Sequence, residues 1–382
     1  MDIMYEPVIG LEIHIQLNTK SKMFCSCSND IWKKSPNSVT CPTCLGLPGA
    51  LPVPNESAIR KTQLLGLSLN CKLNKTSSFA RKNYFYPDLP KGYQITQFSQ
   101  PLCVNGFLNT SFGKVDIRRI HLEEDTGKSM HTKEGTLLDF NKSGVPLAEL
   151  VTEPDIKSAE QAVELGRKIR ELARSLGVSN ADMEKGNMRL ELNISLRETG
   201  SQELPKYRVE IKNINSFRFL RNAIVYEIAR QEKILNAGKV VEQETRGWNE
   251  KSKKTVSQRK KEEEYDYRYF PEPDIPQMEF SDSYIANLKK DLSKTMSGKA
   301  ENVPEGFLSE PKELKEKVEY FITDEKELSK IINKIIAENP NPVLDYKAGK
   351  QGVLQFLIGC VMKETQGKAD PKVCSAIFLN LL

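Results

Sequence analysis

From Val8 to Leu17 apolar residues recur at every second position (Leu11, Ile13, Ile15 and Leu17 at the far end), the period of a strand buried on one face. The same character marks Val115–Ile117 with Leu122, Leu137–Phe140, Leu147–Val151, Met188–Leu196 and Tyr207–Ile214. Two helices interrupt them. Ser158 can cap a helix over Ala159–Leu176, with Gln161 three residues on and Gly177 past its end. Val163, Leu165, Ile169, Leu172 and Leu176 share its apolar face. Ser216 opens a second helix over Phe217–Ala237, closed by Gly238, and a third is predicted over Ser57–Leu69. Strands and helices alternate irregularly, which predicts an α+β fold with a largely antiparallel sheet.

Composition changes after about Asp282. The chain divides into a large domain at 1–283, a polar linker with some helix at 284–324 and a small all-α tail at 325–382. In the tail, Leu328, Ile331, Ile332, Ile335 and Ile336 form one stripe, ended at Asn339–Pro340. Val353, Leu354, Leu357, Ile358 and Val361 form another, and Asp370–Pro371 begins a third helix. No fixed internal period is present.

The chain has 382 residues, with 56 Lys+Arg against 51 Asp+Glu and a net charge of +5. That balance permits a nucleic-acid partner without requiring one. Three histidines argue against a His-rich zinc hydrolase, so chemistry must rest on carboxylates or cysteines. No signal-peptide pattern opens the sequence and no long apolar run occurs in it, so a cytoplasmic protein without a membrane partner is expected. Eight cysteines in such a compartment are reduced thiols or metal ligands.

Cys25 and Cys27 are followed by Cys41 and Cys44, two close pairs suited to clamping one tetrahedral Zn²⁺ within residues 25–44. Cys71, Cys103, Cys360 and Cys374 are isolated and read as buried fillers. Acids recur on apolar strands. Glu12 and His14 share a strand face, Glu123, Glu124 and Asp125 sit together, and Glu149 lies in another strand. Glu191 shares a face with Asn193, and Glu210 with Lys212. Carboxylates converging on one sheet surface call for a hard cation, the chemistry of Mg²⁺-assisted phosphoryl transfer. No GxxxxGK[ST] loop, kinase glycine loop or GxGxxG motif is present. Phosphates would then be held by metal and by basic side chains such as Arg81, Lys82 and Arg189, with Lys212 nearby. The basic run Lys251–Lys261 is a further candidate for contact with phosphate backbone, or a solvated loop.

Taken together, VIGLEIHIQLNTKSKMF, FARKNYFYPDLPKGYQITQF, HLEEDTGKSMH, GVPLAELVTEPDI, EIKNINSF, QETRGWNE and DYRYFPEPDI resemble the B-subunit family of the glutamine-dependent aspartyl/glutamyl-tRNA amidotransferases. The stretches occur in order over about residues 6–280, and the C-terminal part looks like the helical tail of the same family. The resemblance implies a cradle of glutamine-synthetase-like fold. It also implies ATP-dependent phosphorylation of the side chain of Asp or Glu misacylated onto tRNA(Asn) or tRNA(Gln). Ammonia from a separate amidase A subunit would complete the amide, in a heterotrimer with a small C subunit. No DNA partner is implied.

By the same resemblance Glu12, His14, Glu123, Glu124, Glu149, Glu191 and Glu210 line the catalytic site. Glu12, His14, Glu124 and Glu149 would bind magnesium, and Arg81, Lys82, Arg189 and Lys212 the nucleotide. Many relatives have Asp where Glu191 stands. Cys25, Cys27, Cys41 and Cys44 match a zinc-bearing branch of the family. Family members carry an extended helical segment between cradle and tail, and here the connector is short. A zinc-ribbon tRNA-binding adaptor would explain the cysteines but has no use for the carboxylates. A stand-alone amine ligase resembling glutamine synthetase would leave the tail unexplained.

Overall fold

A computed structural model describes residues 4–260, 266–297, 325–347, 353–365, 369 and 371–381. The chain forms two compact units, Met1–Phe307 and Leu308–Leu382. The first begins with β1 (Tyr5–Gln16), whose Ile9, Leu11, Ile13 and Ile15 are buried while Glu12 and His14 turn the other way. Helix α1 (Glu56–Ser68) follows, capped by the Asn55 side chain, which accepts from the Ala58 N–H. Short strands β2 (Lys72–Leu73), β3 (Thr76–Ser77), β4 (Ala80–Asn83) and β5 (Tyr93–Thr96) lead to the long hairpin of β6 (Cys103–Thr110) and β7 (Gly113–Glu124).

A separate hairpin, β8 (Lys128–His131) with β9 (Thr136–Asp139), and a 3₁₀ turn at Phe140–Lys142 precede β10 (Pro146–Thr152). The apolar run Leu137–Phe140 therefore belongs to this small hairpin rather than to the main sheet. Helix α2 (Ala159–Ser175) has the expected cap: Ser158 Oγ accepts from the Gln161 N–H at 3.1 Å, while Gln161 Oε1 accepts from Lys157 N–H at 2.9 Å. Strands β11 (Met188–Glu198) and β12 (Val209–Ile214), helix α3 (Phe217–Asn236), β13 (Glu244–Asn249), β14 (Lys254–Lys260), β15 (Phe270–Pro271), β16 (Met278–Glu279) and α4 (Asp282–Ser297) complete the unit.

Among the described residues, twelve strands form one sheet whose main path runs β14-β13-β12-β11-β1-β10-β7-β5-β4-β15. Its pairings are antiparallel except β12 with β13. Ile13, Leu150, Ile120 and Leu190 share one core with Leu65 of α1, Leu165 and Ile169 of α2, and Leu220 and Ile224 of α3. The helices thus take one face of the central strands, and alternation leaves their polar side chains on the other.

The polar linker with some helix expected at 284–324 begins within helix α4 (Asp282–Ser297). Leu288 is completely buried, with Tyr284, Ile285 and Leu292 packed beside it, and Tyr284 donates to Gln63 Oε1 of α1 at 2.8 Å. Its apolar stripe is narrow and set among lysines, which hid it in the composition. Residues 298–324 of that linker, and Lys261 of the basic run, lie outside the described residues. The second unit packs α5 (Glu325–Glu338), α6 (Pro340–Lys347), α7 (Val353–Glu364) and α8 (Pro371–Leu381) around Leu328, Ile332, Leu357, Val361 and Phe378. Helix α6 begins on Pro340, the residue taken as a stop; proline is at home in a first helical turn.

Candidate functional site

Four central strands of the polar face build a lattice. At one level Arg189 (β11), His14 (β1), Glu149 (β10) and His121 (β7) stand opposite one another in register. The next level carries Glu191, Glu12, Val151 and Arg119. His14 Nε2 lies 3.5 Å from Glu123 Oε1 and 3.4 Å from Glu149 Oε2, and His121 Nε2 is 3.4 Å from the same Glu149 oxygen. One ligand atom each from His14, Glu123 and Glu149 falls within 4.8 Å of the others.

Electrostatics shows this cluster short of positive charge. Burial, then repulsion from Glu149, pushes the Glu123 carboxyl up to about 8. Burial alone would depress His14, but Glu149 and Glu123 outweigh it and hold the imidazole at about 9. Burial also opposes ionisation of Glu149, yet His121 and His14 keep it well below the ordinary carboxylate range. Glu12 is raised by burial and by Glu149 and Glu191, and it accepts from Asn193 Nδ2 at 2.9 Å. One imidazole nitrogen and several carboxylate oxygens, part of them held protonated for want of charge, are a donor set suited to a hard divalent cation.

The expected cations are placed unequally. Arg189 Nη2 donates to Asp125 Oδ2 at 2.9 Å, and Lys142 Nζ reaches the same oxygen at 2.8 Å. Lys212 bridges Glu191 at 2.8 Å and Glu210 at 3.3 Å, and Glu210 also accepts from Thr245 Oγ1 at 2.7 Å. Among the described residues Lys82 has no carboxylate within ion-pair distance. Its ammonium sits 4.6 Å over the Tyr267 ring, and its pKa is raised: burial opposes, but Tyr269, Glu123 and Glu149 win.

Two expected residues are not brought to the cluster. Glu124 follows Glu123 directly on β7, so it points to the opposite face. It pairs with Lys91 at 2.6 Å and accepts the Ile95 N–H at 2.9 Å. Arg81 is engaged bidentately by buried Glu272, at 2.7 and 2.9 Å, with Asp274 at 3.3 Å. Asp125, grouped with Glu123 and Glu124 in the sequence, holds Arg189 here, whereas His121, Arg119, Tyr267 and Tyr269 stand around the cluster without having been singled out in the sequence. His121 was within reach there, two residues before Glu123 on the same strand face.

The cysteine loop forms a second centre. The sulfur atoms of Cys25, Cys27, Cys41 and Cys44 all lie within 4.8 Å of one another. Hydrogen bonding from Cys25 brings Cys44 down to about 4, while burial pushes Cys27 up to about 11. Four sulfur donors with no other ligand suit a closed, tetrahedral zinc site. The loop between the pairs is fastened to the β9 turn. Asn37, left-handed at φ 57°, donates its N–H to Asp139 Oδ1 at 3.0 Å and accepts the Phe140 N–H at 2.7 Å. A cavity of about 240 Å³ is lined by Cys25, Cys44 and Gly46 of this loop and by Lys91, Tyr93 and Glu124. A side chain at Gly46 (φ 68°) would come within 2.5 Å of Lys91.

Among the described residues no helix is long and apolar enough to cross a membrane. Residues 7–286 match the family described as GatB/GatE catalytic domain, and residues 274–382 the GatB domain. The chain is 41% identical to the B subunit of the aspartyl/glutamyl-tRNA(Asn/Gln) amidotransferase of Thermotoga petrophila, over 99% of both chains. It is 38% identical to the corresponding protein of Persephonella marina, again over 99% of both. Against that of Roseiflexus castenholzii identity is 50% over 293 residues, 75% of this chain and 60% of that one. The Thermotoga petrophila alignment runs over 480 positions against 382 residues here, so that relative carries about 100 residues this chain lacks. With a catalytic-domain match over most of its length and a second match over its tail, the chain belongs to the GatB/GatE family.

Proposed function

We propose that this chain is the B subunit of a glutamine-dependent aspartyl/glutamyl-tRNA(Asn/Gln) amidotransferase. Its polar sheet face would activate, with ATP, the side-chain carboxylate of Asp or Glu misacylated onto tRNA(Asn) or tRNA(Gln). The observation that carries this reading is the convergence of His14, Glu123 and Glu149 on one face of three paired strands. Glu12, Glu191 and Glu210 lie at its margin, and Lys82 and Arg189 stand beside it.

A carboxylate oxygen of the aminoacyl group attacks the γ-phosphorus and ADP leaves. Ammonia then attacks the acyl phosphate carbon, and orthophosphate leaves with the amide formed. Magnesium held by His14, Glu123 and Glu149, with Glu12 beside them, would neutralise charge between the phosphates and the attacking carboxylate. The chain's own part is placement. Asp125 pins Arg189, so that its remaining guanidinium donors are set before substrate arrives. Among the described residues Lys82 pairs with no acid, which leaves it placed to meet an anionic oxygen, and the Tyr267 ring beneath it shields it from water. Lys212 neutralises Glu191 and Glu210 at the edge of the face, a bracing role as much as a nucleotide-binding one.

The partners in this reading are an amidase A subunit, which supplies ammonia, and a small C subunit, with charged tRNA as substrate in the cytoplasm. Zinc at the four cysteines is structural. The adaptor reading gives the carboxylate lattice no purpose.

The test is reconstitution with the amidase partner and assay on both misacylated tRNAs, with glutamine and then with ammonium as nitrogen source. His14→Ala is expected to lower amidation about 10²-fold or more with either source, while glutamine hydrolysis by the partner persists. Full amidation by both His14→Ala and Glu149→Gln would remove the site from the reaction.

A further inference from the structure

Strand β7 carries an irregularity opposite Val151 and Thr152: Val151 pairs with Arg119, but Thr152 pairs with Ile117. The extra residue is a β-bulge, a device that re-aims side chains and recurs beside active sites. Here it sends two consecutive arginines to the polar face, between the core residues Ile117 and Ile120. Their fates differ. Arg118 is taken by Glu153 through two hydrogen bonds, at 3.0 and 2.6 Å. Arg119, facing the same way as His121 and Glu123, has no hydrogen bond or ion pair among the described residues, and its Nε is buried without a partner.

Other arginines set the contrast. Arg189 has Asp125, Arg81 has Glu272, and Arg246 has Glu244 and Glu227, while Arg170 of α2, whose Nε is likewise unpartnered, lies over the Phe217 ring on the helical side of the sheet and not on the polar face. A guanidinium with a sequestered, unpaired donor is a cost to the folded chain, and buried donors are nearly always satisfied. Tyr269 lies within the electrostatic reach of Arg119, Lys82 and Glu149 together, which sets Arg119 at the rim of the carboxylate cluster. The planar fork of a guanidinium matches an oxyanion through two parallel hydrogen bonds.

We propose that Arg119 is a catalytic residue that receives an oxyanion of the reactants, from the transferred phosphoryl group or from the side-chain carboxylate that attacks it. This rests on the reaction proposed above. It adds a substrate contact that neither the motifs nor the strand alternation identifies.

The test uses the reconstituted complex with ammonium as nitrogen source, comparing wild type, Arg119→Met and Arg119→Lys. Arg119→Met should lower kcat/KM by about 10²-fold or more, with partial recovery in Arg119→Lys and in Arg119→Met supplied with free guanidinium. Its ligand-free Tm should be unchanged or higher, because the unpaired donor is gone. A rise in KM for ATP alone assigns the phosphoryl oxygens, and a rise for the charged tRNA alone assigns the carboxylate. Wild-type kinetics in Arg119→Met would overturn the inference, and so would a lowered Tm with an activity loss that guanidinium does not rescue. Wild-type complex that fails to amidate either tRNA would instead overturn the reaction itself.

Discussion

At the residue scale Glu123 and His14 both hold protons that a cation would displace. Glu123 titrates near 8 in the folded chain against an ordinary 4.5, so the folded state binds a proton that the unfolded state has already released. Stability of the cation-free protein therefore falls as pH rises through that interval. His14, near 9 against an ordinary 6.5, contributes stability that is present below 6.5 and lost as pH climbs through 9. Both slopes run the same way from neutrality to about pH 8, and His14 continues the fall to about pH 9. Magnesium bound at this cluster would take the place of the proton, so its stabilising effect should grow over the same range. Thermal unfolding at pH 6.5 and pH 9, with chelator and with Mg²⁺, checks this, and Glu123→Gln should flatten the profile.

Lys22 makes a separate case. Its side chain is completely buried, and its ammonium meets Val39 O at 2.8 Å, Phe140 O at 3.5 Å and Cys44 Sγ at 3.7 Å. A tetrathiolate zinc centre at the four cysteines would carry excess negative charge, and the Lys22 ammonium touches one of its sulfur atoms. Lys22→Met should weaken zinc binding about 10-fold or more, read as faster zinc transfer to a colorimetric chelator. An unchanged transfer rate in folded Lys22→Met would assign the lysine to packing alone.

At the element scale, strands with one buried face were legible because their apolar period is two. β1, β10 and β11 were readable from Leu11, Ile13 and Ile15, from Leu147–Val151 and from Met188–Leu196, and α2 and α3 from Ser158 and Ser216 as caps. The same alternation rule, applied to Glu123 and Glu124, already says that only one of two neighbours can face His14. Arg119 was beyond reach, because a bulge breaks the alternation and leaves no mark in composition. Arg81 was hidden differently, since its partner Glu272 is 191 positions away. Some helix was legible in the 284–324 segment, but the packing of α4 into the first core was not, because a single buried stripe among lysines resembles a linker. That helix is a working part of the first core: Leu288→Ala should cost about 2–5 kcal/mol, measured by urea unfolding. A cost near zero would mean that α4 is only laid against the unit.

At the scale of the whole molecule, the near balance of 56 basic and 51 acidic residues hides segregation. Acids crowd one sheet face, and the cations around it are largely committed to them. The two units have disjoint apolar cores, one built on the sheet with α1–α4, the other on α5–α8. A helical unit of this size is marginal by surface-to-volume scaling, whereas the first buries a large sheet core. Each should therefore unfold as its own cooperative transition. Phe378→Ala, which empties a completely buried site in the tail core, should cost that unit about 3–5 kcal/mol and move its transition alone. A chain ending at Phe307 should keep the sheet, the metal response and the zinc centre. In the reconstituted complex it should keep its turnover number, because His14, Glu123 and Glu149 all lie in the first unit, and any loss should fall on KM for charged tRNA. A single shared transition, displaced as a whole by Phe378→Ala, would show instead that the tail is energetically part of the catalytic unit, and a large kcat loss in the truncated chain would put tail residues in the reaction itself.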